Sequence, residues 1–184
     1  MQYSRVLGLV ALTVIVASIG LATAMWSETL KVNATVKTGE VDVKWSSWSC
    51  SDTGPDPQAP GYHNDEGKNV AKCYVSAEKE DEEGDVIKLN VTIANAYPGY
   101  KAVITGVVDN IGTIPVKLYS HSLSGVNTTA LDVSLGIPSD TQIEPGSNST
   151  YTITVVVKQG ASENSSYSFE VTLQFAQWNE VSGG

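Results

Sequence analysis

Alternation of apolar and polar residues runs through most of this chain, and it is clean from Met25 to Lys37, MWSETLKVNATVK. Trp26, Leu30, Val32, Ala34 and Val36 fall on one face, and Ser27, Thr29, Lys31, Asn33, Thr35 and Lys37 on the other. Only Glu28 interrupts the apolar row. Residues two apart share a face in a strand, so the stretch predicts a half-buried β-strand with one dry side. Burying each large residue of that row is worth roughly 1.5–3 kcal/mol. Such a strand does not stay in water. It enters its own domain or a neighbour's.

The same period recurs downstream. Thr38-Gly39-Glu40 makes a break, and Val41, Val43 and Trp45 then alternate with Asp42 and Lys44 as a second strand. Ser46–Lys72 is rich in Pro, Gly and Asp and predicts a long loop, followed by a short strand over Cys73–Ala77. Glu78–Asp85, EKEDEEGD, is a charged turn. Its carboxylates suit calcium, but their spacing departs from the twelve-residue calcium loop, and a solvated hairpin tip is the simpler reading. Ile87, Leu89, Val91 and Ile93 define a strand, Tyr97-Pro98-Gly99-Tyr100 a turn, and Ala102, Ile104 and Val108 another strand, with a bulge expected at Gly106. After Asn110-Ile111-Gly112 come a strand over Val116–His121, an irregular strand within Val126–Ile137, and a strand through Tyr151, Ile153, Val155 and Val157. The last strand carries Tyr167, Phe169, Val171, Leu173 and Phe175 and reaches Trp178. Eight or nine strands with turns about every ten residues predict an all-β fold, a jelly-roll-like β-sandwich. The N-terminal strand is expected to protrude from it as a donor strand.

The first 24 residues add a compartment. One positive charge, Arg5, precedes the apolar run Val6–Leu21, and Ala22-Thr23-Ala24 is a small-x-small cleavage signal. This reads as a secretory signal peptide over 1–24. A retained anchor is the alternative, although the run is at the short edge of a membrane span. A pilin leader fits less well, because no cleavage site precedes the run near Arg5. No second apolar run follows, so no membrane span is expected after processing. The expected organisation is therefore signal peptide 1–24, donor strand 25–38 and sandwich 39–184, with a loop over 46–73.

Composition narrows the partners. About 160 of the 184 residues remain after cleavage, enough for one domain. The net charge is −9, and loss of Arg5 makes it more negative by one, which argues against nucleic acid. Two cysteines in an exported chain predict a Cys50–Cys73 disulfide. It would close a loop of about two dozen residues, worth roughly 3 kcal/mol on the chain-entropy model. Five N-x-[S/T] sequons, at Asn33, Asn90, Asn127, Asn148 and Asn164, are candidates for N-glycosylation.

Catalytic patterns are missing. The two histidines, His63 and His121, form no H-E-x-x-H, and there is no G-x-S-x-G, phosphate-binding Gly loop or Cys-x-x-Cys. Trp45 and Trp48 read as core and loop anchors before they read as a sugar platform. No enzyme, metal or cofactor is expected.

Three segments carry a resemblance. They are the leader with its alternating strand and the following TGEVDV, the segment NAYPGYKAVITGVVDNIGTIPV at Asn95–Val116, and FEVTLQFAQWNE at Phe169–Glu180. In this order they resemble the TasA/camelysin family of exported matrix proteins, and among its members the archaeal bundling-pilus subunits most. The resemblance implies a jelly roll that polymerises by donor-strand exchange into extracellular biofilm fibres, with Trp26–Lys37 as donor. It implies a homopolymer with lateral filament contacts. Some bacterial relatives carry a metallopeptidase label, which does not transfer here for want of zinc ligands. The Cys50–Cys73 region lies outside the resembling motifs. A monomeric secreted binding module, for carbohydrate or protein, is the main alternative, and a secreted metallopeptidase a distant third.

Overall fold

The structure, a computed structural model, describes residues 2–22, 32, 34–80, 84–162 and 164–181. Trp26, Leu30 and Asn33, the cleavage signal beyond Ala22, and Asp81–Glu83 of the acidic turn lie outside the described residues. The chain divides into two units, Met1–Lys37 and Thr38–Gly184.

In the first unit the apolar leader forms one helix, α1, Gln2–Ala22. Among the described residues no helix is long and apolar enough to cross a membrane. Val32, Ala34 and Val36 are exposed and belong to no strand.

The described residues of the second unit form nine strands: β1 Val43–Cys50, β2 Lys72–Glu80, β3 Val86–Ala96, β4 Lys101–Asn110, β5 Val116–Ser124, β6 Leu131–Gly136, β7 Gln142–Ile143, β8 Asn148–Val157 and β9 Ser165–Gln177. They form two antiparallel sheets, ordered β1-β4-β8-β6 and β2-β3-β9-β5-β7. The fold is an all-β sandwich. The alternation explains which face of each strand turns inward. Leu89, Val91 and Ile93 of β3, Ala102, Ile104 and Val108 of β4, Tyr151, Ile153, Val155 and Val157 of β8, and Phe169 and Val171 of β9 are all buried. An aromatic row crosses this core. Trp45 meets Tyr151 edge-on at 6.4 Å, and Tyr151 meets Phe175 edge-on at 6.2 Å between ring centroids.

Several boundaries differ from the sequence reading. β1 starts two residues later than Val41 and runs on through Ser46–Cys50, where a loop is expected from composition. Pairing with β4 explains this. Ser46 is an extra residue between Trp45↔Val108 and Ser47↔Val107, and beyond it Trp48 and Cys50 pack back against the core. The bulge is therefore on β1 rather than at Gly106. Gly106 serves a different need, because a Cβ there would stand 2.5 Å from Cζ3 of Trp45. The loop shortens to 51–71. The irregular strand resolves into a turn at Asn127, whose carbonyl accepts from Ala130 and Leu131, and then β6. β9 stops at Gln177, and Trp178 is exposed in the following turn.

One buried polar residue organises an end of the sandwich. Asn110 is 0% exposed, and its Nδ2 donates to the carbonyls of Ile114 and Ile143 at 2.9 Å each. Its Oδ1 accepts from Gly112 N at 3.0 Å. These bonds hold the turn after β4 and bring β7 into place. Residues 40–42 then clamp the same turn. Ile111 N and Gly112 N donate to Asp42 O, Thr113 N to Glu40 O, and Glu40 N to Thr113 Oγ1. Gly112 is required here, since a Cβ would lie 2.5 Å from Glu40 O.

The close approach of Trp45 to Gly106 makes a direct prediction. Gly106→Ala should lower stability by about 1–3 kcal/mol through overpacking of the ring, read as a lower urea midpoint at unchanged m-value.

Candidate functional site: a closed flank and an open one

The two flanks of the sandwich are built differently. On one, the edge strands β1 and β2 belong to different sheets, and the Cys50–Cys73 disulfide bonds them together. Sequence reasoning saw this bond as a bracket around a loop. The structure also makes it a bond between the sheets, because Cys50 ends β1 and Cys73 is the second residue of β2. Lys44 Nζ on β1 reinforces the same flank with a 2.8 Å ion pair to Asp85, just before β3. The hydrogen bond and charge of Asp85 hold the Lys44 ammonium pKa above its ordinary value.

On the opposite flank the edges are β6 and the short β7. β6 pairs with β8 on one side only. β7 pairs with β5 at Val116 and Lys117, and Leu118 N donates to Thr141 O at 3.2 Å, so beyond Leu118 β5 is laddered solely to β9. The side chains record this opening. On β6 Val133 and Leu135 are half-buried, while Ile153 and Val155, their neighbours across β8, are fully buried. Leu118, Leu123 and Val126 are likewise only partly covered. His121 lies in mid-strand opposite Leu173, which packs on the core, yet His121 is exposed. A cleft of about 260 Å³ runs along this flank, bordered by Leu123, Val126, Leu131 and Val133. The sequence carries the strands of this flank but not its openness, which depends on how little of β5 the two-residue β7 covers.

The long loop behind the disulfide is ordered by carboxylates instead of apolar residues. Asp56 is buried, and its Oδ2 accepts from Val70 N at 2.8 Å, Ala71 N at 2.9 Å and Tyr97 Oη at 2.9 Å. Asp52 Oδ2 accepts from Cys73 N at 3.0 Å. Asn64 ties the loop to itself, donating to the carbonyls of Asp56 and Lys68 and accepting from Lys68 N. Beside the loop opens a cleft of about 370 Å³, bordered by Gln58, His63, Asn64, Tyr97, Pro98 and Asn164. Sequence reasoning missed the role of Asp52 and Asp56, and no local pattern marks them.

The remaining candidates are scattered. Asn127, Asn148 and Asn164 are exposed, and Asn90 is half-buried on β3. Asn164 also adopts φ +52°, and Asn127 Oδ1 caps its own turn by accepting from Thr129 N and Ala130 N. His63 is exposed in the loop, far from His121 in chain and in element. Trp45 is buried and Trp48 half-buried, so neither forms an exposed platform. Among the described residues no three His, Cys, Asp or Glu side chains group as a metal centre.

No family model, curated protein or solved structure matches the chain.

Three tyrosines are set apart by their surroundings. Burial raises the pKa values of Tyr97, Tyr100 and Tyr151, and the Asp56 carboxylate raises that of Tyr97 further. A raised folded-state pKa stabilises the protein below the unfolded value, about 10 for tyrosine, and that stability is lost as the pH climbs beyond it. Of the eight tyrosines, the fully buried Tyr100 and Tyr151 should ionise only together with unfolding, visible as a delayed and cooperative step in tyrosinate absorbance.

Proposed function

We propose that this chain is a structural subunit of an extracellular filament that supports cell adhesion and biofilm. The subunit is exported through its leader and polymerises when Trp26–Lys37 of one copy adds as a strand to the open flank of the next. The single observation that carries the reading is the exposure of Val32 and Val36, at 82% and 85%, in a stretch whose alternation suits a buried strand face.

The strand count of the sandwich supports it. An eight-stranded jelly roll lettered B to I has sheets B-I-D-G and C-H-E-F. Strands β3-β9-β5-β7 and β4-β8-β6 follow that order with the F position vacant beyond β6 and G reduced to two residues. β1 and β2 are additions at the other flank. A strand supplied in trans beside β6 would give its backbone groups partners and cover Val133, Leu135, Leu118 and Leu123. Strand addition draws affinity from the backbone ladder and register from side-chain pockets. Slippage by one residue would turn Leu30, Val32, Ala34 and Val36 to solvent, so one register prevails. The contact joins different surfaces of two copies and therefore propagates into a fibre.

A second reading, a monomeric secreted binding module, draws on the cleft beside the disulfide-backed loop. In the filament that loop, polar and on the flank away from the proposed donor, is placed for lateral contacts. Glycans at Asn127, Asn148 and Asn164 would share the exterior.

Val32→Asp separates the two readings. It sets a charge where a dry pocket is expected, at a cost of several kcal/mol. For the filament, the variant is secreted and folded, fails to polymerise, and is stabilised by added peptide of sequence Trp26–Lys37. Val133→Asp on the acceptor edge likewise blocks polymerisation, and its monomer gains nothing from the peptide. For a module with the strand in its own sheet, Val32→Asp unfolds the protein and the peptide finds no site. Normal fibres from a variant lacking Met25–Lys37 would refute strand donation.

A further inference from the structure

The 370 Å³ cleft beside the disulfide-backed loop is bordered on its other sides by the end of β3, the turn after it and the turn before β9. The sheet is irregular at this place. β3 and β9 pair as Ile93↔Tyr167 and again as Ala96↔Ser165, so Ala94 and Asn95 together oppose Ser166 alone. That is a β-bulge, a device that re-aims side chains beside a site. Asn95 sits in the bulge at φ +51°, and Asn164 leads into β9 at φ +52°. No other non-glycine residue among the described residues has positive φ, and both of these border the cleft. Asn tolerates that conformation better than most residues, but it is still uncommon, and such residues gather at ligand sites.

The polar groups on this border are held and yet incompletely used. Gln58 Nε2 donates to Tyr97 Oη at 2.7 Å, and Asn95 Nδ2 donates to Val70 O at 3.1 Å. Both amides are fixed by their nitrogens, while their side-chain oxygens accept nothing from the described residues. The side chains of Asn164 and His63 are exposed and bond to no described residue. The half-buried rings of Tyr97 and Pro98 supply apolar surface between these groups. Charge is sparse. Acidic residues outnumber basic ones 20 to 11 in the chain, yet no carboxylate of a described residue borders the cleft. Lys68, which does border it, is paired with Glu66 at 2.9 Å.

This chemistry selects among ligands. A cation finds no counter-charge here, and a purely apolar ligand would leave the amide oxygens unmatched. A sugar ring offers hydroxyl donors to fixed amide oxygens, hydroxyl acceptors to Asn164, and a C–H face to an aromatic ring. The volume lies at the lower end of small-molecule sites, about 300–1,000 Å³, which suits about one or two rings. We infer that this cleft is a saccharide-binding site, with Gln58, Asn95 and Asn164 at the sugar hydroxyls and Tyr97 against the ring. The inference gives a ligand class to the cleft on which the module reading draws, and it is independent of strand donation. Two sources can supply the ring: a glycan attached at Asn164 itself, or a saccharide from outside the chain.

Titration of the full-length protein, produced in a host that attaches no N-glycans, tests it. The probes are the methyl glycosides of glucose, galactose, mannose and N-acetylglucosamine, followed by amide chemical shifts. At least one should bind with a Kd of roughly 1 mM and move the signals of Asn95, Tyr97 and Asn164. Asn95→Gly with Asn164→Gly removes both amides at positions where glycine is relaxed, so the fold is kept and affinity should fall ~tenfold. If the double variant is unstable, Asn164→Gly alone serves, because its side chain holds no described residue; affinity should then fall about threefold. Protein from its own cells separates the sources. A glycan at Asn164 that abolishes binding of added glycoside assigns the cleft to the chain's own sugar, and undiminished binding assigns it to an external one. Absence of shifts with all four glycosides, shifts confined to the flank of Val133 and Leu135, or affinity unchanged in the variants would overturn the inference. Each of these outcomes leaves strand donation untouched, since the monomer suffices for the measurement.

Discussion

Edge pairing is the constraint on which the rest of this structure depends. A sheet ends in strands whose outer N–H and C=O groups have no partner within it, and natural proteins cover, bend or charge such edges. This sandwich treats its two flanks unequally. A covalent bond and an ion pair join β1, β2 and the start of β3 across the sheets on one side. On the other, β6 has neighbours on one side only and β5 is covered only as far as Leu118. Core quality follows the same gradient. β8 is buried along its whole inward row, whereas the inward residues of β6 beyond Leu131 are half-exposed. An apolar flank of this kind is a hazard in a monomer and an asset in a subunit.

The strands with strict alternation were legible in the sequence because each has one wet face and one dry face, and burial obeys that pattern at β3, β4, β8 and β9. What escaped was set by contacts distant in sequence. β7 is two residues long and has no period to detect; its position depends on Asn110 reaching the carbonyl of Ile143. Gly106 carried the conventional signal of a bulge, yet it is there to admit a ring from another strand. Ser46–Cys50 has loop composition but is paired residue by residue with β4 after one extra residue is let out. The cysteines announced a pair; that the pair spans two sheets depends on the topology.

The loop illustrates a different limit. Asp52 and Asp56 sit among Gly, Pro and Ser, where acidic residues ordinarily mean solvent. In the fold Asp56 takes the place of a core side chain, gathering two amides and a tyrosine hydroxyl onto one oxygen. A stretch with so little apolar content cannot offset its ordering entropy by burial. Charge-assisted hydrogen bonds, roughly twice as strong as neutral ones, supply the alternative. The disulfide then needs only to limit the unfolded loop, while the carboxylates define the folded one.

The start of the sandwich bears on how a strand exchanged between copies would transmit geometry. Residues 40–42 are hydrogen-bonded to the turn at 111–113, and Asn110 locks that turn to Ile114 and Ile143. The sandwich therefore begins from a base fixed in its own body at residues 40–42. The open edge of β5 begins after Leu118, whose N donates to Thr141 O. On the assembly reading, the fixed base before β1 and the acceptor edge at β6 lie at opposite edges of the four-stranded sheet. On that reading Asn110 would serve assembly by holding the start of each subunit's sandwich, while the apolar row of the strand sets the register.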